Sequence, residues 1–343
     1  MENKSKALVG GGGSLRKFAT KFFEAIFHCK NDGIYKVVNV FGLRFKIKNK
    51  YKEVLLKLRQ QEQKLEKSNK DLNEKLKRIT PRPIFKQIDI PIVDHCNLNC
   101  KGCNYFSTLA QERFMPFEIF KKDLERMAQL TNGNIEQIKL LGGEPLLHTD
   151  LLKFIDCAGM LFKNTKLIIV TNAILLKQQN DDFWQCLKEN AVELAITKYP
   201  INLDWEYIDA QIGKFDIESK FWGRLYNELG RKTTHHYTLA LKGNLDPAAN
   251  FIKCEFANLC IALRDGKLAT CQMPISVQHF NKHFNCNIEI TEKDYIDIYK
   301  AKNLEEICQF LANPIPMCRY CNVAKRTYNN DWGLSKKEIS EWT

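Results

Sequence analysis

Cys96, Cys100 and Cys103 stand as C-x3-C-x2-C inside HCNLNCKGC, directly after the alternating apolar stretch QIDIPIV at 87–93. Three thiolates on one short loop hold three irons of a 4Fe–4S cluster and leave the fourth iron open to a ligand, a chemistry that soft sulfur donors favour. Zinc on the same loop calls for a fourth ligand, and His95 is a poor one because adjacent residues rarely converge on one ion. A second group, Cys254, Cys260, Cys271, Cys318 and Cys321, lies toward the C-terminus. If Asp265-Gly266 makes a two-residue turn, Arg264 faces Lys267, Leu263 faces Leu268, and Cys260 meets Cys271 across the hairpin mouth with Cβ atoms ~5 Å apart. That spacing suits two ligands of one cluster, and with Cys318-x2-Cys321 it equally suits a zinc ribbon. Cys29, Cys157, Cys186, Cys286 and Cys308 have no such companions and read as small buried apolar residues.

The elements that must position these thiols follow from the patterning. From Ile84 onward, strand-like runs at 87–93, 137–143, 166–172 and 192–198 alternate with helical stretches such as 117–130 and 150–162, which predicts a βα-repeating body with a parallel sheet. In such sheets chemistry sits at the C-terminal strand ends, where Cys96, Gly142, Asn172 and Thr197 all fall. Pro81 and Pro83 mark a boundary, so residues 1–80, 84–250 and 251–343 are expected as three parts. Single histidines (His148, His235, His236) and the acids Glu289, Asp294 and Asp297 read as satisfied or solvated, and no catalytic acid or base is assigned.

The 343 residues, 44% hydrophobic and 27% charged, suffice for one large core or two modest ones, exclude a mostly disordered chain, and hold no apolar run of the ~18 residues a spanning helix needs. Residues 1–80 carry 20 Lys/Arg against 8 Asp/Glu, while the remainder is balanced at 32 each. A neutral body with a basic front argues against a nucleic-acid groove and for an anionic partner at the N-terminal end. Residues 14–28 pattern as a basic amphipathic helix, suited either to docking on its own protein or to an anionic membrane surface. Residues 35–49 read as a hairpin around Gly42. Leu58, Leu65, Leu72 and Ile79, with Leu55, Glu62, Asn69 and Leu76 three residues earlier, form a heptad seam that suits a homodimeric coiled coil over 52–79 or a solvated connector. Thirteen cysteines behind a start that lacks a signal-peptide pattern point to a reducing cytoplasm, peripheral to the inner membrane if the basic helix binds it.

The cysteine loop after the first strand and GGEP (Gly142, Gly143, Glu144, Pro145) after the second resemble the radical S-adenosylmethionine (SAM) enzymes. The resemblance implies a partial (β/α)6 TIM-like barrel, here with an N-terminal hairpin plus coiled-coil helix in front and a small C-terminal iron–sulfur domain behind. It implies that the open iron chelates the amino and carboxylate groups of SAM, and that Gly142, Gly143 and Glu144 meet the methionine amino group. VTNA at 170–173 and AITKYP at 195–200 resemble the segments that reach the ribose and carboxylate, through Thr171, Asn172 and Thr197. One departure is Gly102, where the family usually has an aromatic residue before the third cysteine. Cys254-x11-Gly266-x4-Cys271 followed by Cys318-x2-Cys321 resembles the Twitch/SPASM auxiliary-cluster domain. That spacing favours Cys254 where the hairpin favours Cys260, so five cysteines compete for four positions.

The implied reaction is delivery of one electron by a flavodoxin- or ferredoxin-type donor, cleavage of SAM to a 5′-deoxyadenosyl radical, and abstraction of a substrate hydrogen atom. An auxiliary cluster either takes the electron back, which makes the net reaction a two-electron oxidation, or only anchors the substrate or scaffolds the barrel's end; a dehydrogenated or epimerised product is expected. The hairpin around VFGLRFKIK resembles segments beside lipopolysaccharide and capsule glycosyltransferases, and CNLNCKGCNYFSTLA and CRYC resemble radical SAM proteins of surface-polysaccharide synthesis. A sugar nucleotide or lipid-linked saccharide is therefore the expected substrate. A peptide-modifying enzyme and a non-catalytic cluster or zinc platform are the alternatives.

Overall fold

The computed structural model describes residues 27–32, 35–41, 43–48, 50–82, 84–222 and 233–343. The chain divides into two units, Met1–Asn73 and Glu74–Thr343.

In the first unit, β1 (Phe27–Asp32), β2 (Tyr35–Val40) and β3 (Leu43–Lys48) form an antiparallel sheet in the order β1-β2-β3. Val40 pairs with Leu43, so the hairpin expected at 35–49 is present, with a third strand added to it. The helix read over 14–28 lies outside the described residues up to 26, and Phe27 and His28 open β1 instead. Helix α1 spans Lys50–Ile79; its sequence has neither Gly nor Pro, is dense in Leu, Lys, Glu and Gln, and stops before Pro81. The heptad leucines are exposed, Leu58, Leu65 and Leu72 at 54%, 65% and 55%, as are all residues from 54 to 73. No described helix is long and apolar enough to cross a membrane.

The second unit is built on an eight-stranded sheet. Strands β4 (Ile88–Val93), β5 (Gln137–Gly142), β6 (Lys166–Thr171), β7 (Glu193–Thr197) and β8 (Ser219–Trp222) run parallel. They alternate with α2 (Phe117–Thr131), α3 (Leu151–Leu161), α4 (Asp181–Glu189) and α5 (Trp205–Phe215). Such strands are covered on both faces, and every residue of β4 is buried. Side-chain caps set the starts of α4 and α5: Asn180 accepts from the Phe183 amide at 3.1 Å and Asp204 from the Tyr207 amide at 3.1 Å.

The remaining elements are β9 (Thr233–His236), α6 (Pro247–Lys253), β10 (Ile261–Arg264), β11 (Lys267–Ala269), α7 (Met273–Phe284), β12 (Ile296–Asp297), α8 (Leu304–Leu311) and β13 (Thr327–Asp331). Asp265 and Gly266 both take positive φ (50° and 76°), the requirement of a tight primed turn, and Arg264 faces Lys267 as the dipeptide predicted. The hairpin does not stand apart from the βα body. β10 pairs in parallel with β4 (Ile261 with Ile88, Ala262 with Asp89), giving the sheet order β12-β11-β10-β4-β5-β6-β7-β8. β9 and β13 form a separate antiparallel pair. A second core gathers Phe106, Phe280, Phe284 and Trp342, with ring centroids 5.6 Å apart for Phe106–Phe280 and 5.8 Å for Phe284–Trp342.

Candidate active site

The two glycines of GGEP are required by backbone proximity. A Cβ on Gly142, whose φ is +131°, would lie 2.1 Å from the Val93 carbonyl oxygen, and one on Gly143 would lie 1.7 Å from that of His95. Without side chains, the end of β5 sits against the end of β4 and the start of the cysteine loop. The Gly143 amide donates to Val93 O at 2.7 Å and the Glu144 amide to His95 O at 3.1 Å.

Glu144 is 1% exposed. Its Oε1 accepts from Thr171 Oγ1 at 2.6 Å and the Leu146 amide at 3.2 Å, and its Oε2 from the Asn172 amide at 2.9 Å. Burial outweighs these bonds and pushes its carboxyl up to about 7. Asn172 Nδ2 reaches Asn97 Oδ1 at 2.8 Å and Cys96 Sγ at 3.6 Å, so one side chain ties the end of β6 to the cysteine loop. Thr171 and Asn172 thus position Glu144 and the loop.

Cys96, Cys100 and Cys103 open into a cavity of about 460 Å³, lined also by Glu144, Thr171, Asn172 and Thr197 and by Gly142 and Gly143. Burial, and after it the proximity of Glu144, Cys103 and Cys100, pushes the Cys96 thiol up to about 12. Among the described residues no three His, Cys, Asp or Glu side chains converge closely enough to hold a single metal ion. The three thiols share a cavity, not a point.

The same cavity has a polar floor. Asp89 on β4 is in register with Lys139 on β5, and both are buried. Asp89 Oδ1 accepts from Gln87 Nε2 at 2.6 Å, its Oδ2 from Tyr105 Oη at 3.1 Å, and Lys139 Nζ donates to Gln87 Oε1. Burial raises the Asp89 carboxyl and lowers the Lys139 ammonium. Sequence reading passed over both; the available signal was one charge at the same depth in two otherwise apolar strands, QIDI and QIKL. Trp332 Nε1, His235 Nδ1 and Ser107 Oγ are buried without a hydrogen-bond partner among the described residues, and all three residues line this cavity.

Of the five C-terminal cysteines, four come together. Cys254 at the end of α6, Cys271 after β11, and Cys318 and Cys321 around the turn Pro316–Tyr320 line a second cavity of about 30 Å³. Burial, followed by the other three sulfurs, pushes the Cys271 thiol well up, and burial pushes the Cys318 thiol up to about 12. Cys260 lines the larger cavity instead, where burial and then Asp89 push its thiol up to about 12, opposed by Lys139. Tyr237, Phe256 and Gln272 line both cavities and form the wall between them.

Sequence reading also missed a strap formed by residues 333–342. The Lys101 amide donates to Gly333 O at 2.9 Å, the Ser335 amide to Asn99 O at 2.9 Å, and Trp342 Nε1 to Cys103 O at 2.9 Å. Gly102, at φ +64°, approaches so closely that a Cβ would lie 3.1 Å from Glu341 O. The absence of a side chain at Gly102 thus admits the strap. His148 is buried and satisfied by Met115 O and the Asp150 amide. Asp294, expected to be solvated, is fully buried because it accepts from the Met317 amide and from Thr291, closing the turn before the last two cysteines.

Residues 90–210 match the model of the radical SAM superfamily. GTP 3',8-cyclase of Listeria welshimeri is 30% identical over 129 residues, 37% of this chain and 35% of that protein. GTP 3',8-cyclase of Campylobacter lari is 31% identical over 120 residues, 34% and 36% of the two chains. The chain therefore spans about a third of the length of the curated relatives it matches. Among solved structures, BtrN in complex with AdoMet and 2-DOIA aligns at 16% identity over 70% of this chain and 93% of that one, with a TM-score of 0.46. The superfamily match implies a 4Fe–4S cluster and SAM as cofactors. The residues fit them: three soft donors on one loop, a buried carboxylate beside them, and a cavity with unmet polar atoms.

Proposed function

We propose that this protein is a radical SAM enzyme that abstracts a hydrogen atom from a carbohydrate, a sugar nucleotide or lipid-linked saccharide, and dehydrogenates it. One observation carries the reading: a single cavity of about 460 Å³ joins the thiol loop and Glu144 to the Asp89–Tyr105–Lys139 floor, so cofactor and substrate would share one chamber. Cys96, Cys100 and Cys103 would hold the cluster. When bound, cluster and SAM supply a carbon-centred radical able to take hydrogen from an unactivated C–H bond.

The protein's residues do the rest. Glu144, fixed by Thr171 and Asn172, offers its carboxylate and the adjacent backbone to the amino group of SAM. The floor is suited to hydroxyl groups, since Asp89 accepts, Lys139 donates and Tyr105 does both. Asp89 would hold the hydroxyl proton that an alcohol must lose as it becomes a carbonyl. Cys254, Cys271, Cys318 and Cys321 would bind the auxiliary cluster that receives the substrate's second electron. A flavodoxin- or ferredoxin-type donor is the expected electron source. The N-terminal unit is proposed to dimerise through α1 and to bring the basic end to an anionic membrane surface.

The GTP 3',8-cyclases make a nucleoside triphosphate the second reading. Against it, the Lys and Arg residues among the described lining are Lys101 and Lys139 alone, and a triphosphate calls for more positive charge. The test is iron and sulfide content of anaerobically reconstituted protein, its EPR with and without SAM, and then 5′-deoxyadenosine formation with sugar nucleotides against GTP. Acceleration by a sugar nucleotide with mass loss of two hydrogens supports the proposal. Acceleration by GTP alone overturns the carbohydrate substrate, and no cleavage under any condition favours the non-catalytic platform.

A further inference from the structure

Arg326 is buried beside the four-cysteine cavity, its side chain 7% exposed. Nη1 and Nη2 both donate to Cys254 Sγ, at 3.4 and 3.5 Å. The Glu255 carboxylate stands 4.0 Å away and is 40% exposed, and the Tyr237 and Phe256 rings face the guanidinium with centroids 5.2 and 5.6 Å from it. A buried guanidinium is costly unless an anion meets its fork. Here the fork closes on sulfur, and the nearest carboxylate is longer-range and partly in water. Tyr237 and Phe256 are also the wall shared with the larger cavity, so the cation lies in the partition between the two sites.

We propose that Arg326 is a positioning residue that sets the charge balance and reduction potential of the four-cysteine centre by its paired hydrogen bonds to Cys254. The inference rests on that centre being an iron–sulfur cluster. Reduction adds negative charge to the sulfurs, and a fixed cation hydrogen-bonded to one of them stabilises the reduced form, raising the potential. The effect is local to this centre because both terminal guanidinium nitrogens donate to Cys254.

The experiment compares wild type, Arg326→Gln and Arg326→Lys as reconstituted full-length protein. Metal content is measured first, then each EPR signal is followed through a redox titration, the two centres being told apart by the effect of SAM. The expected result is about eight irons per chain in all three proteins. The SAM-insensitive centre should move to lower potential in Arg326→Gln and by a smaller amount in Arg326→Lys, which keeps the charge and loses the fork. The SAM-sensitive centre should not move. Eight irons with an unchanged potential in both variants overturns the role of Arg326 and leaves the cluster reading intact. About four irons plus zinc in the wild type overturns the cluster reading and the inference with it. If Arg326→Gln does not assemble the second centre, Arg326→Lys decides alone, and a wild-type potential there refutes the proposal.

Discussion

Gly143→Ala tests whether the strand ends are set by bare backbone contact. An alanine methyl at that position would lie 1.7 Å from His95 O, 2.3 Å from His95 C and 3.0 Å from Asp94 O. All three are backbone atoms, so no side chain can swing aside, and reaching ordinary contact requires the strand end and the cysteine loop to part by about 1.7 Å. That movement breaks the bonds from Gly143 N to Val93 O and from Glu144 N to His95 O. Loss of partners by the Gly143 and Glu144 amides costs roughly 1–3 kcal/mol each, and overpacking adds about 1–3 kcal/mol if relaxation is incomplete. The two lost bonds alone, at about 4 kcal/mol, correspond to a melting temperature lower by roughly 6 °C for a chain of 343 residues at about 2.1 cal/mol/K of unfolding entropy per residue. Gly213→Ala on α5 is the control: its Cβ meets nothing within 4 Å, and it should gain about 0.5–1 kcal/mol. Thermal unfolding by circular dichroism measures both, and iron analysis should show the first centre depleted in Gly143→Ala. A variant with wild-type melting temperature and full iron would refute the claim that these glycines dock the loop.

The thiol assignment makes a paired prediction: Cys321→Ala should lose the second centre, while Cys260→Ala should keep the metal content of wild type. Equal losses would place Cys260 among the ligands. Trp342→Ala removes the donor to Cys103 O and leaves a void among Phe106, Phe280 and Phe284, for a destabilisation of about 3–5 kcal/mol, read by urea unfolding. His279 stands 3.5 Å from Asp94, yet burial holds its pKa below the usual histidine value, opposed by Asp94 and reinforced by Arg264. The unfolded chain therefore takes up the proton first, and stability should fall as pH drops below about 6.5. His279→Gln should flatten that slope between pH 5.5 and 7.5, and an unchanged slope would assign it to another group.

What was legible in the sequence was local. The strand at Ile88–Val93 and the hairpin at Ile261–Arg264 and Lys267–Ala269 follow from alternation and from the Asp-Gly pair, whose conformation is fixed within four residues. The parallel pairing of β10 with β4 left no mark, because a contact spanning more than 170 residues depends on no neighbouring residue type. The choice between Cys254 and Cys260 was illegible for a related reason. Extending the hairpin register to Cys260 and Cys271 assumed continued pairing, whereas pairing ends at Ala262 and Ala269, and beyond it the chain turns the two thiols into different cavities. Asp89 and Lys139 were hidden because a charge in a strand ordinarily faces water, and here both strands are covered.

The strap has a consequence in time. Trp342 is joined to the polypeptide 239 residues after Cys103, whose carbonyl it holds. At roughly 5–20 residues per second, a ribosome leaves the cysteine loop without its clamp for about 12–48 s. If the loop holds the cluster as proposed, iron delivered in that interval meets a loop free to rearrange around it, and iron delivered later meets one already held at Asn99, Lys101 and Cys103. The order in which a cell finishes the chain and supplies its metal is therefore written into the distance between these two segments.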